Sequence, residues 1–179
     1  MLFKYWVVCF LLFILFIQAR ASSFMPAVTN YLAKDYEAGY QNWACAQGSN
    51  GEMYFGNSQG LLVYDGYRWT LHKVPGNHIV RSVYVKEDRI YVGAFEEFGY
   101  FKYSEAGTLR YHSLSKFLKN FPMENNEIWN IVELDGRIYF QSFSAWFSYD
   151  GKMVHAFRNR QQQPLYFYTQ NRSEERRVG

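Results

Sequence analysis

The chain has 179 residues, 49% of them hydrophobic and 21% aromatic, with a formal net charge of +3. So much apolar and aromatic matter excludes a disordered segment, and a weak positive balance scattered among aromatics excludes nucleic-acid binding by this stretch of chain. Its two cysteines, Cys9 and Cys45, exclude a disulfide framework, because Cys9 falls in a leader expected to be removed.

In that leader Lys4 precedes an apolar run from Tyr5 to Ile17, and Gln18-Ala-Arg-Ala21 then places small residues where a signal peptidase reads them. Residues 1–21 are therefore expected to be a secretory signal peptide cleaved after Ala21. The run is too short to span a bilayer, which takes roughly 20 apolar residues. Export of the mature chain is the consequence, and Cys45 is expected to be a small buried hydrophobe on an inner strand. Residues 22–41 form a polar and aromatic lead-in.

Three repeats come next. Met53-Tyr-Phe-Gly56, Ile90-Tyr-Val-Gly93 and Ile138-Tyr-Phe-Gln141 are variants of one strand, and Tyr54, Tyr91 and Tyr139 stand 37 and then 48 residues apart. That period is close to the roughly 40–50 residues of a four-stranded propeller blade. Trp43-Ala-Cys-Ala-Gln47, Arg81-Ser-Val-Tyr-Val85 and Trp129-Asn-Ile-Val-Glu133 precede these tyrosines by 10 or 11 residues and align as inner strands. Third strands are expected at residues 60–66, 99–103 and 145–151, two of them closing on Asp-Gly turns, Asp65-Gly66 and Asp150-Gly151. Fourth strands are expected at residues 68–72, 109–112 and 153–157. The enrichment in Val, Ile, Tyr, Phe and Trp between Gly, Asn and Asp turns favours strands over helices, apart from a weak helical pattern near Leu114 to Asn120.

The expected fold is thus all-β: a β-propeller of about three blades of four antiparallel strands, at residues 42–76, 77–123 and 124–164. A ring ordinarily needs four to eight blades, so the array is read as an incomplete piece of a larger propeller. Leu165-Tyr-Phe-Tyr168 is placed to begin a further blade, within residues 165–179. The charge-dense stretch from Arg172 to Gly179 is read as the spurious end of a truncated gene rather than as a solvated linker, and no function is drawn from its Asn171-Arg-Ser173 sequon.

Chemistry-bearing motifs are sparse. The sequence holds no Gly-rich phosphate loop, no nucleophile elbow and no zinc helix, and His72, His78, His112 and His155 lack close ligand spacing. No catalytic residue, metal site or cofactor is expected. Glu96 and Glu97 are an adjacent carboxylate pair, but neighbours on a strand point to opposite sides, so a solvated loop is preferred to a catalytic pair. The three tyrosines recur at equivalent sites, which argues for a structural role in every blade.

Trp43, Arg81 and Trp129 each open an inner strand, where blades converge on the central channel. Packing between blades is the favoured reading of these positions. The alternative is ligand binding: two indoles that stack on a sugar face, with a guanidinium that pairs with a carboxylate or sulfate, suit a neutral or acidic glycan fragment.

A series of motifs in order, Tyr40-Gln-Asn-Trp43, Met53-Tyr-Phe-Gly-Asn57, Gly60-Leu-Leu-Val-Tyr-Asp-Gly66, Ile79-Val-Arg-Ser-Val83, Arg89-Ile-Tyr-Val-Gly93, Glu96-Glu-Phe-Gly-Tyr100 and Glu127-Ile-Trp129, closely resembles the sensor region of Bacteroidetes two-component regulator propeller proteins that carry a triple-tyrosine domain. The resemblance covers about Asn30 to Phe157. It implies a periplasmic propeller array, followed in the parent protein by a β-sandwich, one membrane helix, and either a histidine kinase with receiver and helix-turn-helix parts or a LuxR-like DNA-binding domain. None of these output parts lies within the 179 residues.

The chain is accordingly expected to be an exported, non-catalytic N-terminal piece of a ligand-sensing propeller. Its parent would be homodimeric, sit in the inner membrane, detect an oligosaccharide in the periplasm and regulate transcription. Two other classes remain open: a secreted propeller enzyme, a polysaccharide lyase or glycosidase, and a non-catalytic adhesion propeller.

Overall fold

The computed structural model describes Tyr5, residues 26–123 and residues 125–158. Apart from Tyr5, the expected signal peptide with its expected cleavage site at Ala21 lies outside the described residues, as do residues 159–164 of the third repeat and the stretch 165–179. The chain divides into two compact units, Met1–Asn30 and Tyr31–Gly179. In the first, the described residues 26–30 are exposed and without regular structure. Every described strand belongs to the second.

In that second unit one helical turn, α1 (Ala33–Tyr36), precedes twelve described strands in three antiparallel sheets, each a simple meander. The first sheet is β1 (Asn42–Gln47), β2 (Met53–Asn57), β3 (Gly60–Tyr64) and β4 (Trp69–His72). The second is β5 (Val80–Lys86), β6 (Arg89–Ala94), β7 (Phe98–Tyr103) and β8 (Leu109–Ser113). The third is β9 (Asn130–Leu134), β10 (Arg137–Gln141), β11 (Ala145–Tyr149) and β12 (Val154–Arg158). These are the three four-stranded blades of the sequence reading. The weak helical pattern after Leu114 becomes a short 3-10 turn, Ser115–Phe117.

Side-chain alternation settles what each face does. Tyr54 pairs with Ala46 and Val63, Tyr91 with Tyr84 and Tyr100, and Tyr139 with Val132 and Ser148, so the three tyrosines occupy one register position on the same face of successive blades. Tyr54 lies in the core between the first two blades, with Leu61, Val63, Val80, Ile90, Val92 and Phe101. Tyr91 lies in the core between the second and third, with Phe98, Ile128, Ile138, Phe140 and Phe147. Burial of these rings and aliphatic chains supplies the force that stacks the blades, at about 1.5–3 kcal/mol for each large side chain.

Gly56 and Gly93, which end the YFG and YVG repeats, are where the next blade comes closest. A Cβ at Gly56 would lie 2.9 Å from the Val80 carbonyl oxygen, and one at Gly93 would collide with the side chains of Ile128 and Ser82. The glycines in this repeat therefore serve close packing between blades.

The Asp-Gly turns are also built alike. Asp65 Oδ1 accepts from the backbone N–H groups of Tyr67 and Arg68, and Asp150 Oδ1 from those of Lys152 and Met153. Gly66 and Gly151 adopt φ of 97° and 94°, and the hydroxyls of Tyr64 and Tyr149 each donate to the glycine carbonyl at 2.8 Å.

From Tyr31 onward the lead-in packs on the first blade. Tyr31 and Tyr36 meet the Trp69 ring at 5.2 and 5.5 Å, and buried Asn57 exchanges two hydrogen bonds with the backbone of Gly39. Cys45 is exposed, not buried as expected. It shares a register row with Phe55 and Leu62, on the face of the first blade opposite Tyr54 and hence opposite the second blade.

Candidate functional site

Trp43, Arg81 and Trp129 come together. The Arg81 guanidinium carbon lies 3.7 Å from the centre of the Trp43 ring and 4.8 Å from that of Trp129, and the two indoles meet edge to face at 6.4 Å. One cation thus bridges two rings supplied by the blades on either side of its own, a geometry in which the negative ring faces attract the charge.

Backbone irregularities aim these side chains. The β1–β2 register shifts between Asn42 and Ala44, and the β5–β6 register between Val80 and Ser82. Trp43 and Arg81 are the extra residues of two equivalent β-bulges, which turn a side chain out of the regular alternation. Trp129 is placed by the crossing segment 127–129 just ahead of β9. Within it Ile128, fully buried against Gly93, donates its N–H to the Ala94 carbonyl, and the Trp129 N–H donates to the Gln141 carbonyl. In extended chain the neighbours of Ile128 face the other way, which carries both Glu127 and Trp129 to the cluster. Ser82, next to Arg81, fastens this segment by donating its hydroxyl to the Ile128 carbonyl at 2.9 Å.

Glu127 completes the group. Arg81 Nε donates to Glu127 Oε1 at 2.5 Å, and both side chains are largely removed from solvent. Among the described residues nothing accepts a hydrogen bond from Arg81 Nη1, which is buried. Trp43 Nε1 donates to Ser58 Oγ at 3.2 Å and Trp129 packs on Phe143 at 5.6 Å. Trp43 is 41% exposed and Phe143 55% exposed, so the cluster presents an aromatic surface to solvent. The sequence reading met Glu127 only within the Glu127-Ile-Trp129 motif and did not assign it to the cluster, and Ser58 and Phe143 escaped it. The one signal for Glu127 was its period-two spacing to Trp129 on an extended segment.

The Glu96 and Glu97 pair separates at a turn between β6 and β7 where Glu96 takes a left-handed φ of 55°, and it is no solvated loop. Glu97 Oε1 accepts hydroxyl hydrogen bonds from Tyr111, Ser113 and Ser115, at 3.0, 2.9 and 2.7 Å. Burial above all, and then the Glu97 charge and hydrogen bond, drives the Tyr111 hydroxyl far above the ordinary phenol range. Glu96 turns to the other side, where it accepts from the Asn125 N–H at 2.8 Å. Both carboxylates hold loops in place.

No protein-family model and no curated protein matches the chain. Solved structures do. The extracellular domain of BT4673 from B. thetaiotaomicron, described as that of a one-component system, aligns with 68% of this chain at 17% identity and a TM-score of 0.51. A second structure of the BT4673 extracellular domain, there described as that of a hybrid two-component system, aligns with 69% at 18% identity and a TM-score of 0.52. The fold is that of these regulator domains. They are the kind of domain that the ordered motifs of the sequence resemble. The chain spans 16% of the length of either structure, which makes it comparable to a small part of those extracellular domains.

Proposed function

We propose that this chain is the N-terminal part of an exported propeller that senses a ligand for a membrane-spanning regulator, and that the Trp43–Arg81–Trp129 cluster forms part of the ligand surface. The observation that carries the reading is the convergence of three residues from three blades, two of them aimed by equivalent bulges, on one partly exposed aromatic site. Packing between blades alone would not call for an indole left 41% open to solvent. The fold shared with the extracellular domain of BT4673 supports the sensor reading. Among the described residues no helix is long and apolar enough to cross a membrane.

Exposed indole faces suit the apolar faces of sugar rings, so the proposed ligand is an oligosaccharide in the periplasm. Within the parent, a homodimer in the inner membrane, ligand at this mouth favours one arrangement of the periplasmic region over another. Only the difference in affinity between the two arrangements transmits the signal to a kinase or LuxR-like output. The chain itself binds; it does not catalyse. Isothermal calorimetry of the parent's periplasmic region with oligosaccharides, beside a transcriptional reporter in cells, tests this. Trp43→Ala is expected to abolish binding and reporter induction together, and unchanged induction by that variant would sink the proposal.

A further inference from the structure

We infer that the mouth is internally charge-neutral and selects an uncharged ligand, with Arg81 acting as a positioning residue and not as an anion receptor; this rests on the sensor reading above. A guanidinium beside two indoles suggests at first a clamp for a carboxylate or sulfate. Three features of its surroundings oppose that. Its Nε already pairs with Glu127 at 2.5 Å, so the cation of the cluster meets an anion of the same chain. Its planar carbon lies against Trp43 at 3.7 Å and near Trp129 at 4.8 Å, leaving its faces in contact with ring surface. Its Nη1 is buried and does not face solvent. An incoming anion would find the guanidinium charge already offset by Glu127 and its buried Nη1 closed to solvent, so it would gain little while still giving up its own hydration.

A neutral ligand meets no such obstacle. It finds the exposed part of Trp43 and the Phe143 ring, whose contact is apolar and indifferent to charge. What Arg81 contributes is the angle and separation of the two indoles, fixed by cation–π contact with both. The distance between blades is thereby translated into the spacing of two aromatic surfaces.

The test needs no knowledge of the natural ligand. Collisional quenching of the full chain by iodide and by caesium, with the Trp43 contribution isolated by subtracting Trp43→Phe, reads the sign of the local field at this indole. A neutral mouth gives Trp43 an iodide-to-caesium ratio close to that of free tryptophan. In Glu127→Gln the uncompensated guanidinium raises the ratio about threefold, the size of effect one partly screened charge exerts at contact range. A ratio well above free tryptophan in the parent sequence, or no rise in Glu127→Gln, overturns the inference.

Calorimetry with cellotetraose and tetragalacturonate supplies the second arm. Cellotetraose is expected to bind at least as well as the acidic tetramer, with Glu127→Gln improving tetragalacturonate about tenfold. Preference of the parent sequence for tetragalacturonate overturns the neutral mouth. If neither tetramer binds while the quenching ratios come out as expected, it is the sugar reading that falls and the neutral mouth that stands.

Discussion

The two contacts between blades use the same strand positions and different chemistry. Between the first and second blades the core is mainly aliphatic, with Leu61, Val63, Val74, Val80, Ile90 and Val92 around Tyr54 and Phe101. Between the second and third, aromatic rings make up half of it: Phe98 stacks on Phe147 at 4.9 Å and packs at a tilt on Phe140 at 4.6 Å, and Tyr91 and Tyr149 close the layer. The polar borders differ in parallel. Glu52 accepts from two neutral hydroxyls, of Tyr54 at 2.6 Å and Tyr103 at 2.8 Å, whereas Glu133 is bound by the Lys86 ammonium at 2.6 Å and the Tyr84 hydroxyl at 3.0 Å. A repeat thus keeps the geometry of stacking without keeping the means. Any well-packed set of residues on the alternating face will stack a blade.

The largest expected effect probes the cores. Phe140→Ala should cost about 3–5 kcal/mol in denaturant unfolding, because a fully buried ring with aromatic neighbours leaves a cavity that a rigid layer fills poorly. Leu61→Ala, equally buried, should cost less, about 2–3 kcal/mol, since aliphatic neighbours collapse more readily. Equal costs would erase the distinction between the two contacts. Next in size is the pair of glycines. Gly93→Ala drives a methyl group into Ile128 and Ser82 and should cost about 1–3 kcal/mol. Gly56→Ala meets the Val80 carbonyl at 2.9 Å but side chains only at 3.3 Å, and should cost less. The reverse order would locate the tighter contact in the first pair of blades.

These contrasts also show what could be read from the sequence. All twelve described strands were legible, because hydrophobic alternation, Asp-Gly turns and the recurring tyrosine mark them without reference to neighbours. The convergence of Trp43, Arg81 and Trp129 was legible as well, since equivalent positions in a repeat fall at equivalent places around an axis. The bulges at Trp43 and Arg81 were not, because one extra residue leaves no mark in the composition of a strand. Glu127 was hidden for a related reason: its partner is 46 residues away, and an ion pair has no sequence pattern. Cys45 was misplaced because alternation says that a residue takes one face or the other, without saying which face is covered. The role of Glu97 depended on three hydroxyls from a strand and turn that only the folded blade brings together.

The borders differ most clearly in their response to pH. Burial first, and then the hydrogen bond to Glu52, pushes the Tyr54 hydroxyl up to about 12, and the same causes raise Tyr103 further. A phenol raised above its unfolded value near 10 lends stability that is complete below pH 10 and is lost as pH climbs through the folded value. Absorbance at 295 nm should therefore show late tyrosinate formation, with circular dichroism lost as pH approaches about 12. Glu52→Gln should bring that loss to lower pH. On the acid side burial raises Glu52, but bonds from Tyr54, Tyr103 and Asn50 together hold it below the ordinary glutamate value, and the Lys86 bond does the same for Glu133. Both contributions are complete above pH 4.5 and disappear as pH falls through the folded values.

The smallest effect separates the borders by salt. The Lys86–Glu133 pair sits at the surface between the second and third blades, where added ions screen a full charge on each side. The Glu52 bonds join one charge to two phenol dipoles, one of them on buried Tyr54, and their strength depends on short contact more than on long-range field. Raising salt to about 0.5 M, where the screening length falls to a few ångströms, should lower the thermal midpoint of the parent sequence slightly. Lys86→Met should lose part of that salt response, the Arg81–Glu127 and Lys102–Asp88 pairs keeping the rest, while Glu52→Gln should keep all of it on a lower baseline. If Glu52→Gln reduced the response as much as Lys86→Met, the first border would be as electrostatic as the second, and the two contacts would differ only in the shape of their cores.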